Sequence, residues 1–330
     1  MPRPLETVAT KVYAALLATR PLSVSAQLVG KARQLLVRLG DPPVTLPVAG
    51  SALRMPLSHD LPLYRASFPL YSDNLRRVVA ACAGKYPDLV VVDIGANIGD
   101  SVALLRGLPF GAVLCVEGDP RYLTFLRANT ADLGDRVVVA PVLVGAETGE
   151  IQAELVASRG TAGLRVGGGA TGAVRTLSLD DLVEAYPLPG RLKVLKSDTD
   201  GFEARILEGG LATLRRSRPV LFFEYDPRML AGNASDGLGL LATLERAAGY
   251  RTALIYDNVG DLLVSVRLDD IELLTELHQY LDRSGRYVDI AAFHGDDADL
   301  FEEFRSSEHD FYAARRSGGG AGPLSGQRPQ

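Results

Sequence analysis

Apolar residues in the middle of the chain come in short unbroken runs, at 89–92, 112–116, 137–139, 192–195 and 220–223. Runs of that length suit strands buried on both faces of a parallel sheet. Helix-period segments separate them. Residues 120–131 put Tyr122, Phe125, Leu126 and Asn129 on one face. Ser178, with Asp181 three positions on, reads as a capping box that opens a short helix to Tyr186. Segments 202–208 and 236–248 stop at Gly209-Gly210 and at Gly249, as helix ends do. Past residue 250 the order changes. Segments 251–256 and 262–266 flank the turn-rich 257–261 and predict a hairpin. A helix at 270–282 and a last strand at 287–293 follow. The expected fold is α/β: a doubly wound, mostly parallel sheet with an antiparallel last strand.

The first 85 residues follow another pattern and predict an N-terminal helical extension or lid. Residues 1–40 are helix-like, with Leu16, Leu17, Leu28, Leu35, Leu36 and Leu39 as candidate packing positions, and Gly40-Asp41-Pro42-Pro43 ends them. Residues 44–72 are rich in proline and turns, and a helix is expected at 73–83. The strand–helix domain then occupies 86–300. Residues 301–330 are read as the end of a helix and a disordered tail, Gly- and Ser-rich from 317. The stretch 159–172, with Gly167-Gly168-Gly169, is read as a flexible loop that either gates the site or merely connects. No membrane span is expected, because the apolar stretch 12–36 is broken by Arg20, Pro21, Lys31 and Arg33.

Composition changes little in this picture. The net charge is −5, from 35 basic and 40 acidic residues, so a domain-wide basic footprint for nucleic acid is missing. At 47% apolar and 23% charged residues, a core needs no disulfides or metal. The two cysteines, Cys82 and Cys115, have no Cys or His at ligand spacing, which points to a reduced, cytoplasmic setting. Nothing in the sequence fixes an oligomeric state.

The chemistry concentrates after the first strand of the domain. Asp93-Ile94-Gly95-Ala96-Asn97-Ile98-Gly99-Asp100-Ser101 leads from that strand into a helix. Its glycines permit close approach of a ligand. A dinucleotide loop would need Gly-x-Gly-x-x-Gly, with the pyrophosphate at the helix N-terminus. This loop lacks that spacing, and the acids at 93 and 100 would repel a pyrophosphate. They suit a ligand with an amino or sulfonium group and free hydroxyls. The next strand ends in Glu117-Gly118-Asp119-Pro120. A carboxylate there can accept hydrogen bonds from both ribose hydroxyls. The bland alternative is that Glu117 caps the following helix, for which Asp119 is the better placed residue.

Together these two motifs resemble class I S-adenosylmethionine-dependent methyltransferases, with a Rossmann-like domain. A further run, Leu195-Lys196-Ser197-Asp198-Thr199-Asp200-Gly201-Phe202-Glu203, is similar to the Lys-x-Asp-x-x-Gly-x-Glu signature of the FkbM family. The segment 176–182 upstream and Phe223-Glu224-Tyr225 downstream fit that family too, so the resemblance covers roughly 86–295. It implies S-adenosylmethionine as methyl donor and a small hydroxylated acceptor, a sugar or secondary metabolite. It also implies that Asp93, Gly95, Asn97 and Gly99 line the donor's amino-acid end, that Glu117 holds the ribose, and that Leu143 and Val144 face the adenine. Ala96, Ser101, Gly118, Asp119 and Asp198 are expected among the donor-binding residues as well.

Transfer to an alcohol requires alignment and removal of a proton, for which a base or a metal serves. Asp198 either contacts donor or acceptor, binds Mg²⁺ together with Asp200 through oxygen ligands, or only shapes its loop. Lys196 stands at the strand end beside it. His59 is the one histidine of the entry segment and is a candidate base or a packing residue. Glu224 could face acceptor or solvent. Tyr64, Phe68 and Tyr71 could cover the acceptor or pack the lid. Rival expectations are a non-catalytic donor-binding module and a nicotinamide-dependent dehydrogenase.

Overall fold

A computed structural model of the protein describes residues 4–158, 161–166 and 172–317. The five apolar runs become β3 (Leu89–Ile94), β4 (Ala112–Val116), β5 (Val137–Ala140), β10 (Arg191–Ser197) and β11 (Val220–Tyr225). They lie parallel in the order β5-β4-β3-β10-β11. Every residue of β3 and β4 is buried, which explains why neither run alternates with polar residues. Val92, Leu114, Leu195 and Phe223 point into one apolar core, and Val91, Val113, Val194 and Phe222 into the other.

The 250s form the expected hairpin, β12 (Tyr250–Asp257) and β13 (Leu262–Arg267). The last strand, β14 (Val288–His294), is antiparallel as expected, yet it is not an edge: it inserts between β11 and β12. Strand order reverses between β3 and β10. The loops after these two strands therefore face each other at the switch point, where an open α/β sheet leaves its crevice.

Three expectations need correction. The proline-rich 44–72 contains a hairpin, β1 (Pro43–Val48) and β2 (Ser51–Pro56), turning at Ala49-Gly50 with both φ angles positive. Pro43 and Pro47 disguised the alternation of the buried Val44, Leu46 and Val48. Within the expected loop at 159–172, residues 161–166 are strand. A second sheet of β6 (Leu143–Gly145), β7 (Gly149–Ser158), β8 (Thr161–Val166) and β9 (Gly172–Ser178) has the order β6-β9-β7-β8. Gly167-Gly168-Gly169 lies outside the described residues. Finally, helices α1 (Pro4–Ala18) and α2 (Val24–Arg38) pack through only half of the leucines named for that task. Leu16, Leu17 and Leu36 lie against the hairpin core, whereas Leu28, Leu35 and Leu39 are 62%, 59% and 67% exposed. The apolar positions of α2 occupy both of its faces, and only one face is covered.

Two further helices position the site, α3 (Leu61–Ser67) and α4 (Asp73–Lys85). The C-terminal helix, Ala298–Ser317, is more than a helix end. Phe301 and Phe304 pack on Phe293 of β14, and its buried Glu308 accepts two hydrogen bonds from Arg77 of α4 at 2.6 and 3.0 Å. The tail from 318 on lies outside the described residues.

Candidate active site

The loop after β3 is shaped by three left-handed residues, Gly95 (φ 79°), Asn97 (φ 48°) and Gly99 (φ 84°). The amides of Gly95 and Ala96 both donate to Val116 O, tying the loop to the end of β4. A Cβ on Gly95 would lie 2.0 Å from the carbonyl oxygen of Asp198, so only glycine lets the β3 loop rest on the β10 loop. Gly99 serves a different contact. A Cβ there would come within 3.1 Å of Leu126 and 3.3 Å of Thr130, on the helix Pro120–Thr130. Ser101 is buried on the short helix Asp100–Leu105 that follows.

Glu117 is 8% exposed and fixed by two backbone donors. Asn97 N–H donates to Oε2 at 2.9 Å, and Asp119 N–H to Oε1 at 2.7 Å. Burial pushes its pKa up, while the two amides pull it down. Each oxygen keeps a further lone pair for a ligand hydroxyl. Asp119 turns its own carboxylate to Arg121 and caps the helix, as its alternative role required. A Cβ on Gly118 would overlap Leu143, whose side chain covers that glycine. A narrow cleft of about 60 Å³ joins Gly95, Glu117, Gly118, Leu143, Val144 and Asp198 with Ile94, Val116, Val142, Thr199 and Phe202. Val142 and Phe202 are its additional apolar walls.

Under the loop sits a buried ion pair. Lys196 Nζ is 3.0 Å from Asp93 Oδ1 and 3.5 Å from Asp198 Oδ2, and donates to Gly95 O at 3.4 Å. Neither Asp93 oxygen has an aligned hydrogen-bond donor, although the carboxylate is 1% exposed. The 3.0 Å separation to Lys196 is thus an ion-pair contact without hydrogen-bond alignment. Burial opposes the charge of Lys196, but Asp93, Asp198 and Asp100 outweigh it and raise its pKa above the ordinary lysine value. A lysine held protonated has no lone pair with which to take a proton.

His59 lies just before α3 and is 8% exposed. Its Nδ1 accepts from Leu61 N–H at 3.2 Å, and its Nε2 lies 3.4 Å from Asn97 Oδ1. Burial lowers its pKa. A neutral ring that accepts at Nδ1 carries its proton on Nε2, directed at Asn97, so no basic nitrogen remains for an acceptor. The histidine instead joins the N-terminal extension to the loop after β3.

On the other side of Asp198 is a group of acids that sequence spacing did not assemble. Glu224 of β11 stands opposite Asp289 of β14 in register. Asn74 of α4 donates to Asp289 Oδ2 at 3.0 Å. Burial, then Asp198, push Asp289 up to about 7, opposed by Asn74 and Lys196. Glu224 is driven well above the usual carboxylate range by burial and by Asp198, Glu203, Asp200 and Asp289. Tyr71 and Tyr287 are raised by burial and by these same acids. Asp200 is raised to about 6 by burial, Asp198 and Asp226. Glu203 is raised to about 7 by burial while accepting from Thr199 N and Oγ1, both at 2.7 Å. Tyr71 was one of three aromatics named from the sequence. Asp289 and Asn74 carried no local signal, because the insertion of β14 brings them together. Among the described residues, no group of three or more His, Cys, Asp or Glu is arranged to hold a metal ion, so Mg²⁺ on Asp198 and Asp200 finds no support.

Comparison with known proteins agrees with the motifs. Residues 93–252 match the family described as methyltransferase FkbM domain. Among solved structures, methyltransferase FkbM from Methylobacillus flagellatus KT is 20% identical over 50% of this chain and 39% of that one, with a TM-score of 0.36. This chain thus spans about two fifths of that protein's length. The N-methyltransferase NodS from Bradyrhizobium japonicum WM9 is 8% identical over 68% of this chain and 96% of that one, TM-score 0.39. An rRNA methylase from Streptococcus thermophilus is 11% identical over 68% and 97%, TM-score 0.36. At these scores none bears on substrate or mechanism. No curated protein matches the chain.

Proposed function

We propose that this FkbM-type methyltransferase domain moves the methyl group of S-adenosylmethionine to a hydroxyl of a small molecule, such as a sugar or secondary metabolite. The observation that supports this most is a single cleft at the switch point bounded by Gly95, Glu117, Leu143 and Asp198. Glu117 would accept from the two ribose hydroxyls, and Gly118 lets Leu143 pack against the loop beside it. Leu143, Val144 and Val142 would form the adenine wall. Asp93, held by Lys196 beneath the β3 loop, would lie under the ammonium of the donor's amino-acid end. Gly95, Ala96, Asn97, Gly99, Ser101 and Asp119 would keep the loop in shape.

When bound, the donor supplies an electrophilic methyl on sulfonium. The chain's part is alignment and proton removal. We assign the acceptor's O–H proton to the carboxylates around Asp198, with Asp289, near 7, as the leading base and Glu224 as its neutral partner across the β11–β14 pair. Lys196 and His59 are positioning residues, one holding Asp93 and the β3 loop, the other Asn97.

Calorimetric titration with S-adenosylmethionine tests the donor site. Wild type should bind, and Glu117→Ala should weaken binding by about 2–3 kcal/mol, the scale of hydrogen bonds to a charged group. A wild type that binds no donor, or an alanine variant as tight as wild type, would sink the assignment. Transfer of labelled methyl to a panel of hydroxylated acceptors then tests the reaction.

A further inference from the structure

The methyl-transfer reading makes no use of the outer face of α1 and α2. No residue of α2 is buried. Val24, Leu28, Leu35 and Leu39 are 72%, 62%, 59% and 67% exposed. At 3.6 residues per turn they share one side of the helix, within an arc of about 60°. Leu22, in the turn between the helices, is 93% exposed, and α1 adds the exposed Leu5 and Val8. The fold does not need the α2 stripe, because α2 meets the core from its other side through Leu36 and Val37.

Its charge is as distinctive as its apolarity. Between residues 4 and 40 stand five Lys or Arg and one acid, Glu6, in a chain of net charge −5. Glu6 is engaged by Arg54 at 3.1 Å. Lys31 and Arg38, both exposed, flank the leucine stripe, and Lys11 and Arg20 are exposed too. Each helix has 15 residues, about 22 Å at 1.5 Å per residue, too short to cross a bilayer but suited to lie in its surface.

We propose that the outer face of α1 and α2 docks on an anionic lipid surface, with the leucines at the acyl boundary and the basic side chains among the headgroups. Charge separates this from self-association. A contact between two copies would bring two faces of the same positive sign together. The docked helices would also lie close to the crevice. On the inner side of α2, Arg33 donates to Leu57 O at 2.8 Å and pairs with Asp60 at 2.7 Å. Tyr13 OH donates to His59 O, and His59 reaches Asn97 of the donor loop.

Co-sedimentation of the full chain with vesicles tests the proposal. Vesicles of phosphatidylcholine alone are compared with vesicles that also contain phosphatidylglycerol, at low and high salt. Wild type should pellet with the anionic vesicles, less so at high salt, and hardly at all with phosphatidylcholine. Leu28→Ser/Leu35→Ser and Lys31→Glu/Arg38→Glu should each lower partitioning at least about tenfold. Circular dichroism and donor titration should match wild type in both, since all four side chains are exposed. Wild type left in the supernatant with anionic vesicles overturns the proposal, as does either variant pelleting like wild type. So does a lipid-free dimer in analytical ultracentrifugation that Leu28→Ser/Leu35→Ser dissociates, which would make the face a self-contact.

Discussion

The two sides of the crevice are built from different materials. On the β3–β4 side, residues 93–119 supply nearly everything: a loop folded by positive φ angles and a carboxylate oriented by two backbone amides. On the β11–β14 side the groups are side chains from distant parts of the chain. Asn74 and Asp289, 215 residues apart, share a hydrogen bond. Backbone geometry tolerates little variation, because a Cβ in the wrong place collides with something that has no rotamer to give way. Side chains crowded with like charges can be exchanged more freely, and their proton affinities respond to each neighbour. Under the proposed function the first construction would hold the donor and the second would meet the acceptor.

The comparison breaks most sharply at Gly95. Gly95→Ala places a methyl group 2.0 Å from Asp198 O on a residue of φ 79°. Removing that strain means moving one of the two loops, so donor affinity should fall at least about a hundredfold, near 3 kcal/mol. Calorimetry giving a wild-type affinity would show that the donor side is not defined by backbone. The acceptor side should respond in rate rather than in donor affinity. Asp289→Asn should lower kcat roughly 10²-fold, the low end for a positioned base, Glu224→Gln less, and both should leave donor binding within about twofold. With Asp289 near 7, wild-type kcat should rise with pH through neutrality. Asp289→Asn should erase that limb, and a variant that keeps an unchanged profile would remove Asp289 from proton transfer.

The smallest effect is on stability. Folding raises the pKa of Asp289 and Glu203 from the ordinary carboxylate range to about 7, so the folded state binds their protons more tightly than the unfolded chain. That contribution is complete below the unfolded pKa and is lost as pH climbs through the folded one. The melting temperature should therefore decline between about pH 4 and 7 through these groups. Asp289→Asn should recover roughly 2–4 °C at pH 8, about 1 kcal/mol for a domain of this size. A scan of melting temperature against pH that is flat in wild type would contradict the crowding of acids at this site.

The same contrast explains what could be read from the sequence. The five parallel strands were visible because full burial demands unbroken apolar runs, and the donor loop because its glycines and acids are neighbours in the chain. Asp289 had no such neighbour: its partner Glu224 is set by the pairing of β11 with β14. The hairpin at 43–56 was hidden by Pro43 and Pro47, which read as loop residues. His59 was singled out for its chemistry, but its ring nitrogens are oriented by Leu61 and Asn97, contacts no spacing rule contains.

The position of β14 also bears on how the chain is made. Strands β11 and β12 are complete once residue 257 has been synthesised, yet the strand that joins them ends only at His294. Until it arrives, each offers an open edge of unpaired amides and carbonyls, a template for pairing with other chains. During synthesis the sheet is therefore exposed to aggregation for the time needed to make that last stretch, and this is the interval in which a chaperone would have most to protect.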